Sequence, residues 1–154
     1  MPPFRRWAPV VLWAGVIFMF STHWFTSENT AEVAEPFLKW LFPMLSLDSI
    51  LLIHHVLRKC GHLTEYFIFG LLVLRAIRGG RPGVRISWAL ATIGIVAAYA
   101  SSDEFHQSFV PGRTASIYDV MLDTTGGAIS MITAAVRAKR LRNQDPQEVT
   151  GENT

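Results

Sequence analysis

The chain has 154 residues, 50% of them hydrophobic and only 17% charged, with a formal net charge of +2. Its length allows one domain, and a soluble domain of this size is usually about a quarter charged. The single cysteine, Cys60, excludes an internal disulfide and a zinc site built on paired cysteines, and no nucleic-acid partner is expected.

The first element is the run WAPVVLWAGVIFMFSTHWF, residues 7–25, interrupted by no ionisable group except His23. It approaches the length that crosses a hydrocarbon core of ~30 Å. Arg5 and Arg6 precede it, as in a secretory signal peptide. No small-residue cleavage signal follows, however, and more apolar runs do, so an uncleaved helix is expected. His23, beside Trp24, is expected to anchor it at the interface.

The residues after it, up to Arg58, form an outer connection. In AEVAEPFLKWLFPML, the apolar residues Val33, Phe37, Leu38, Leu41 and Phe42 recur at near-helical spacing. SILLIHHVL is apolar but too short to span. One or two amphipathic pieces are expected on the outer surface, His54 and His55 ending one of them.

Three further runs complete the pattern. Residues 60–74, CGHLTEYFIFGLLVL, span only if His62 and Glu65 are accepted inside the run or at its mouth. Residues 86–102, ISWALATIGIVAAYASS, are uncharged. Residues 117–136, IYDVMLDTTGGAISMITAAV, carry Asp119 and Asp123. The expected fold is an all-α integral membrane protein with about four transmembrane helices, occupying residues 1–140. Residues 141–154 form a polar tail of the composition that stays disordered. Close helix approach is expected at Gly94-x-x-x-Ala98 and Gly126-x-x-x-Ser130.

Basic residues orient this array. With the N-terminus inside, the inner segments hold Arg5, Arg6, Arg75, Arg78, Arg81, Arg85, Arg137, Lys139, Arg140 and Arg142, which are 10 of the 14 basic residues. That asymmetry follows the positive-inside rule and puts both termini in the cytoplasm. Glu65, Asp103, Glu104, Asp119 and Asp123 then fall at the outer helix ends, with Lys59, His62, His106, Gln107 and Arg113. Burying unpaired charge in hydrocarbon costs several kcal/mol or more, so such groups face one another or a wet cavity. Lys59, His62, Glu65 and Tyr66 recur every three to four residues and share a face. Asp119 and Asp123 make a second stripe. Asp103, Glu104 and Gln107 make a third if their helix runs past Ser102. Pro111 and Gly112 turn the chain and place Arg113 opposite the acids.

At these residues the chain resembles the VanZ-like family of small membrane proteins, named after a protein linked to teicoplanin resistance. The family pattern joins a basic-x-x-His-x-x-Glu-Tyr helix to Asp-Glu-x-x-Gln, then Phe-x-Pro-Gly-Arg, then an Asp-containing helix ending in glycine. Here those positions are Lys59, His62, Glu65, Tyr66, Asp103, Glu104, Gln107, Phe109, Pro111, Gly112, Arg113, Asp119, Asp123 and Gly126. At Asp123 the chain departs from the family, which more often has asparagine. The resemblance implies a multi-pass protein of the bacterial plasma membrane associated with the cell envelope and antibiotic resistance, and it brings no settled reaction.

Three functional classes stand. In a membrane enzyme, His62, Glu65, Asp103, Glu104 and Gln107 are the candidate catalytic set, with His62 as general acid or base. Lys59, Tyr66, Arg113, Asp119 and Asp123 are the candidate substrate-binding set. Arg113 matches the phosphate or carboxylate of a lipid-linked envelope precursor, and a divalent cation on the carboxylates and His62 fits an oxygen-rich site. In a binding or shielding protein, the same charges are a structural ion-pair network, and membrane lipids are the partners. A transporter is the third class. Sequence alone leaves the oligomeric state open.

Overall fold

The computed structural model describes residues 3–22, 27–111 and 115–144. Among them are five helices and no strand: α1 (Pro3–Phe20), α2 (Ser27–Leu41), α3 (Leu47–Arg78), α4 (Ile86–Gln107) and α5 (Ile117–Gln144). The all-helical class expected from the apolar blocks therefore holds. α5 continues through Gln144, into the segment assigned to the tail, and residues 145–154 lie outside the described residues. His23 and Trp24 also lie outside them.

The segment between the first two apolar runs differs from expectation. SILLIHHVL is not a separate surface piece. It is the first part of α3, which runs unbroken for 32 residues, roughly 48 Å at 1.5 Å per residue. His54 and His55 sit inside this helix and end nothing. No proline or glycine interrupts residues 47–60, so the helical hydrogen-bond ladder continues through them. Its ends are well specified. The Ser46 side chain accepts from the Ser49 N–H at 3.3 Å, and Asp48 complements the positive end of the helix dipole. At the other end Gly79 adopts φ 60°, and its N–H donates to the Arg75 carbonyl. α2 is the amphipathic piece that was expected. It buries Leu38, and exposes Phe37 and Trp40.

α3 is the central helix, against which α1, α4 and α5 pack. Val10 and Ile17 of α1, Tyr66, Phe69 and Val73 of α3, and Val96 and Ala100 of α4 form one apolar core. Leu74, Trp88 and Met131 form a second. Glycine sets how closely α5 approaches. A Cβ on Gly126 would lie 2.5 Å from the Leu63 carbonyl oxygen and 3.2 Å from the Phe67 nitrogen. One on Gly127 would lie 2.8 Å from Val96 Cγ1. Ser130, one turn further, packs against Gly70 of α3. The Gly126–Ser130 pair is thus a helix contact, as its spacing suggests. The Gly94–Ala98 pair is not: both residues are exposed, and nothing lies within 4 Å of a Cβ built on Gly94.

Among the described residues, one helix, α3, is long and apolar enough to cross a membrane. The others are diluted for identifiable reasons. The 18 residues of α1 include Arg5 and Arg6. α4 is rich in alanine and serine and carries Asp103 and Glu104 near its end. α5 carries two aspartates near its start and a basic last third.

Candidate functional site

The polar residues from α3, α4 and α5 meet near one end of the bundle. Lys59 on α3 donates to Asp119 Oδ1 in the first turn of α5. One turn deeper, His62 Nδ1 stands 3.6 Å from Asp123 Oδ1, and the Asp123 side chain is 0% exposed. Near-matched helical spacing produces both contacts. Lys59 and His62 are three apart on α3, Asp119 and Asp123 are four apart on α5, and each helix offers them on one face.

α4 supplies the third wall. It does run past Ser102, to Gln107, and Asp103, Glu104 and Gln107 are all buried. The Gln107 amide nitrogen donates to Asp103 Oδ2 at 2.9 Å. Glu104 Oε2 accepts the backbone N–H of Ser116 at 2.8 Å, which fixes the chain where α5 begins. Glu104, Asp103, Asp119 and Asp123 lie within electrostatic range of one another. Tyr66 is 0% exposed and lies within electrostatic range of both Asp103 and Asp123. Glu65 is half-buried on the same helix and interacts with Arg58 and His62. His106 belongs to the last turn of α4, its ring 4.7 Å from that of Phe18. Phe109 is exposed, and Gly112 and Arg113 lie outside the described residues.

Sequence reasoning missed the contribution of α1. The Ser21 hydroxyl donates to Asp103 Oδ2 at 2.7 Å, and the Gln107 amide reaches the same hydroxyl at 3.2 Å. Trp13 Nε1 donates to the Glu65 carbonyl at 2.9 Å. The Tyr99 hydroxyl donates to the Ala14 carbonyl at 2.6 Å. A lone serine at the end of an apolar run carries no signal of this role. Ser21→Ala is expected to lower stability in detergent by about 1.5–3 kcal/mol, because it removes a buried hydrogen bond to a carboxylate. Thermal melting checks this, and wild-type melting would mean that Asp103 needs no support from α1.

Several buried polar atoms have no hydrogen-bond partner: the Tyr66 hydroxyl, Asp103 Oδ1, Glu104 Oε1, His62 Nδ1 and both Asp123 oxygens. Buried polar groups are nearly always paired, and each exception asks for a reason. Among the described residues, no three His, Cys, Asp or Glu side chains come together to hold a metal ion. The acids spread over three helices and over more than one layer, so they do not converge on one point. Asp103, Glu104, Gln107, Asp123 and Tyr66 are packed to near-zero exposure, so the cluster is closed in this conformation. A cavity of about 280 Å³ instead lies at the far end of α3, lined by Arg6, Arg75 and Arg78.

The family model described as VanZ/LLP1 matches residues 6–138. The chain belongs to the VanZ/LLP1 family. The match takes in every candidate residue from Lys59 to Asp123, and it agrees with the resemblance read from the His62–Tyr66 and Asp103–Arg113 motifs. No curated protein and no solved structure matches the chain. As a VanZ/LLP1 member with one helix long and apolar enough to cross a membrane, it has the marks of a membrane-associated envelope protein.

Proposed function

We propose that this VanZ-like chain crosses the bacterial plasma membrane four times, through α1, α3, α4 and α5, with both termini in the cytoplasm. The polar cluster then lies towards the outer face, where it engages the polar head of a lipid-linked envelope precursor. The surface supports the membrane part. Leu12, Leu90, Met121 and Ile132, on α1, α4 and α5, are each 60% exposed or more. Soluble monomers rarely expose such continuous apolar surface, and lipid covers it at no cost. At ~48 Å, α3 exceeds the ~30 Å core, so its first turns project from the outer leaflet with α2 beside them.

One observation carries the site reading: the buried oxygens of Asp103, Glu104, Asp123 and Tyr66 that have no hydrogen-bond partner, Asp123 standing beside His62. The carboxylate oxygens are acceptors in need of donors, and the Tyr66 hydroxyl can donate or accept. The hydroxyls and amides of a glycan-bearing or amino-bearing headgroup supply donors, and His62 beside Asp123 is a pair suited to move a proton. The cluster is sealed in this conformation, so entry requires the outer ends of α3, α4 and α5 to part. Contribution to resistance against teicoplanin-type glycopeptides follows if the precursor so engaged is the antibiotic's target.

A second reading has its own support. The Lys59–Asp119 pair ties α3 to α5 and the Ser21–Asp103–Gln107 chain ties the end of α1 to α4, which fits a non-enzymatic binding or shielding protein whose charges are a structural network. A turnover assay on the purified protein with lipid-linked envelope precursors separates the two: product formation supports the enzyme, and binding without turnover supports shielding. Orientation is tested separately. A reporter active only in the periplasm is expected to stay silent when fused after Thr154 and to be active when inserted between α2 and α3. Activity after Thr154 would overturn the arrangement.

A further inference from the structure

The cavity at the opposite end of the bundle is unrelated to this cluster. It lies roughly 20 Å along α3 from His62, counting 1.5 Å per residue to Arg75. Arg6 of α1 and Arg75 and Arg78 of α3 line it, with the backbone of Gly79 and Gly80. Gly79 is favoured there by its backbone. Its φ of 60° is left-handed, and a Cβ would meet Arg6 Cζ at 3.1 Å. The Arg6 guanidinium therefore lies across the end of α3, against Gly79. Arg78 Nε is buried without a hydrogen-bond partner. Among the described residues, no carboxylate lies within ion-pair distance of these three arginines.

Topology alone does not account for this convergence. The positive-inside rule asks for basic residues on the cytoplasmic side, not for a shared cavity. Arg81 and Arg85 satisfy it from the next loop while occupied otherwise. Both stack on Trp88, at 4.7 and 4.9 Å, and Arg81 also donates to the Arg78 and Ile77 carbonyls. Arg6, Arg75 and Arg78 instead bring three positive charges to one small space. The carbonyl end of α3 offsets part of that repulsion, but it cannot fill a cavity of about 280 Å³. Guanidinium groups pair with phosphate through paired, charge-assisted hydrogen bonds.

We infer that the Arg6–Arg75–Arg78 cavity binds a phosphate group at the inner face of the membrane. Its size suits one headgroup, and the phosphate comes either from an anionic phospholipid or from free phosphate in the cytoplasm.

The test uses the full chain in a neutral detergent, with melting followed by tryptophan fluorescence. Phosphatidylglycerol, phosphatidylcholine and inorganic phosphate are titrated separately at constant ionic strength. Phosphatidylglycerol is expected to raise the melting temperature by several degrees, and phosphatidylcholine, whose choline offsets the charge, by less. An equal rise with inorganic phosphate assigns the site to the free anion, whereas a rise with lipid alone assigns it to a headgroup. The R6Q/R78Q variant is expected to melt like wild type without additive and to lose the rise. R137Q/R140Q/R142Q, which discharges the end of α5, is expected to keep it. Should R6Q/R78Q fail to fold, R75Q at the exposed rim decides, with an expected loss of about tenfold in apparent affinity. No rise with either phosphate source, or a rise kept in R6Q/R78Q or R75Q and lost in the α5 variant, overturns the site.

Discussion

Gly126→Leu is expected to abolish the folded bundle, with loss of the membrane-extracted protein as the readout. Even Gly126→Ala places a methyl group 2.5 Å from the Leu63 carbonyl oxygen. Backbone cannot yield there as a flexible side chain would, so α5 must retreat from α3 at a cost of roughly 1–3 kcal/mol. Retreat also separates His62 from Asp123 and Lys59 from Asp119, because all four sit on these two helices. Gly94→Ala is the matched control. Its Cβ meets nothing within 4 Å, and alanine favours helix over glycine by up to about 1 kcal/mol. Melting in detergent should therefore fall for Gly126→Ala and hold or rise for Gly94→Ala. The reverse order would mean that the bundle packs through α4 at Gly94.

These two glycines show what spacing alone conveys. Gly94-x-x-x-Ala98 and Gly126-x-x-x-Ser130 have the same pattern, and only the second is a contact. The pattern says that a close approach is permitted, and the neighbours decide whether it happens. Gly126 lies one turn from Asp123, which must reach α3, so its face is already committed. Gly94 shares a face with no polar residue that needs burying. The unbroken α3 was illegible for a related reason. Charge at Arg58 and Lys59 looks like a boundary between an interfacial piece and a span. A helix does not end at charge, however, if the charged side chains find partners, and Lys59 finds Asp119.

The candidate site was legible where residues act within a helix and obscure where they act between helices. The three- and four-residue spacings placed Lys59, His62 and Tyr66 on one face and Asp119 and Asp123 on another. The expense of buried charge required the faces to meet. Which acid takes which base depends on helix register, and sequence does not carry that. Ser21 had no periodic partner to mark it, and the Arg6–Arg75–Arg78 cavity was legible only as basic segments that orient the chain. Closure of the polar cluster was likewise hidden, because the same charges read equally well as a wet pocket.

His62→Gln and Glu104→Gln have the largest expected effect on function. His62 and Glu104 come from different helices, and they hold different positions in the network. Glu104 Oε2 accepts the Ser116 N–H, and a glutamine carbonyl can keep that bond. Glutamine at His62 keeps a polar group facing Asp123, whose carboxylate accepts from its amide. Each variant is therefore expected to express and to melt within a few degrees of wild type. Neither can move a proton, and each is expected to lower precursor turnover by about a hundredfold or more. Cell-based tolerance to teicoplanin-type antibiotics should fall with it, if that is the output of the site. A purely structural network behaves otherwise, with both variants losing stability in proportion to the contacts removed while any remaining folded protein acts normally. Full turnover in stable His62→Gln and Glu104→Gln would remove proton transfer from the account and leave headgroup binding. Folded, precursor-binding and inactive variants would place the chemistry between α3 and α4, where Asp103 and Glu104 each leave a carboxylate oxygen unpaired and the Tyr66 hydroxyl has no partner.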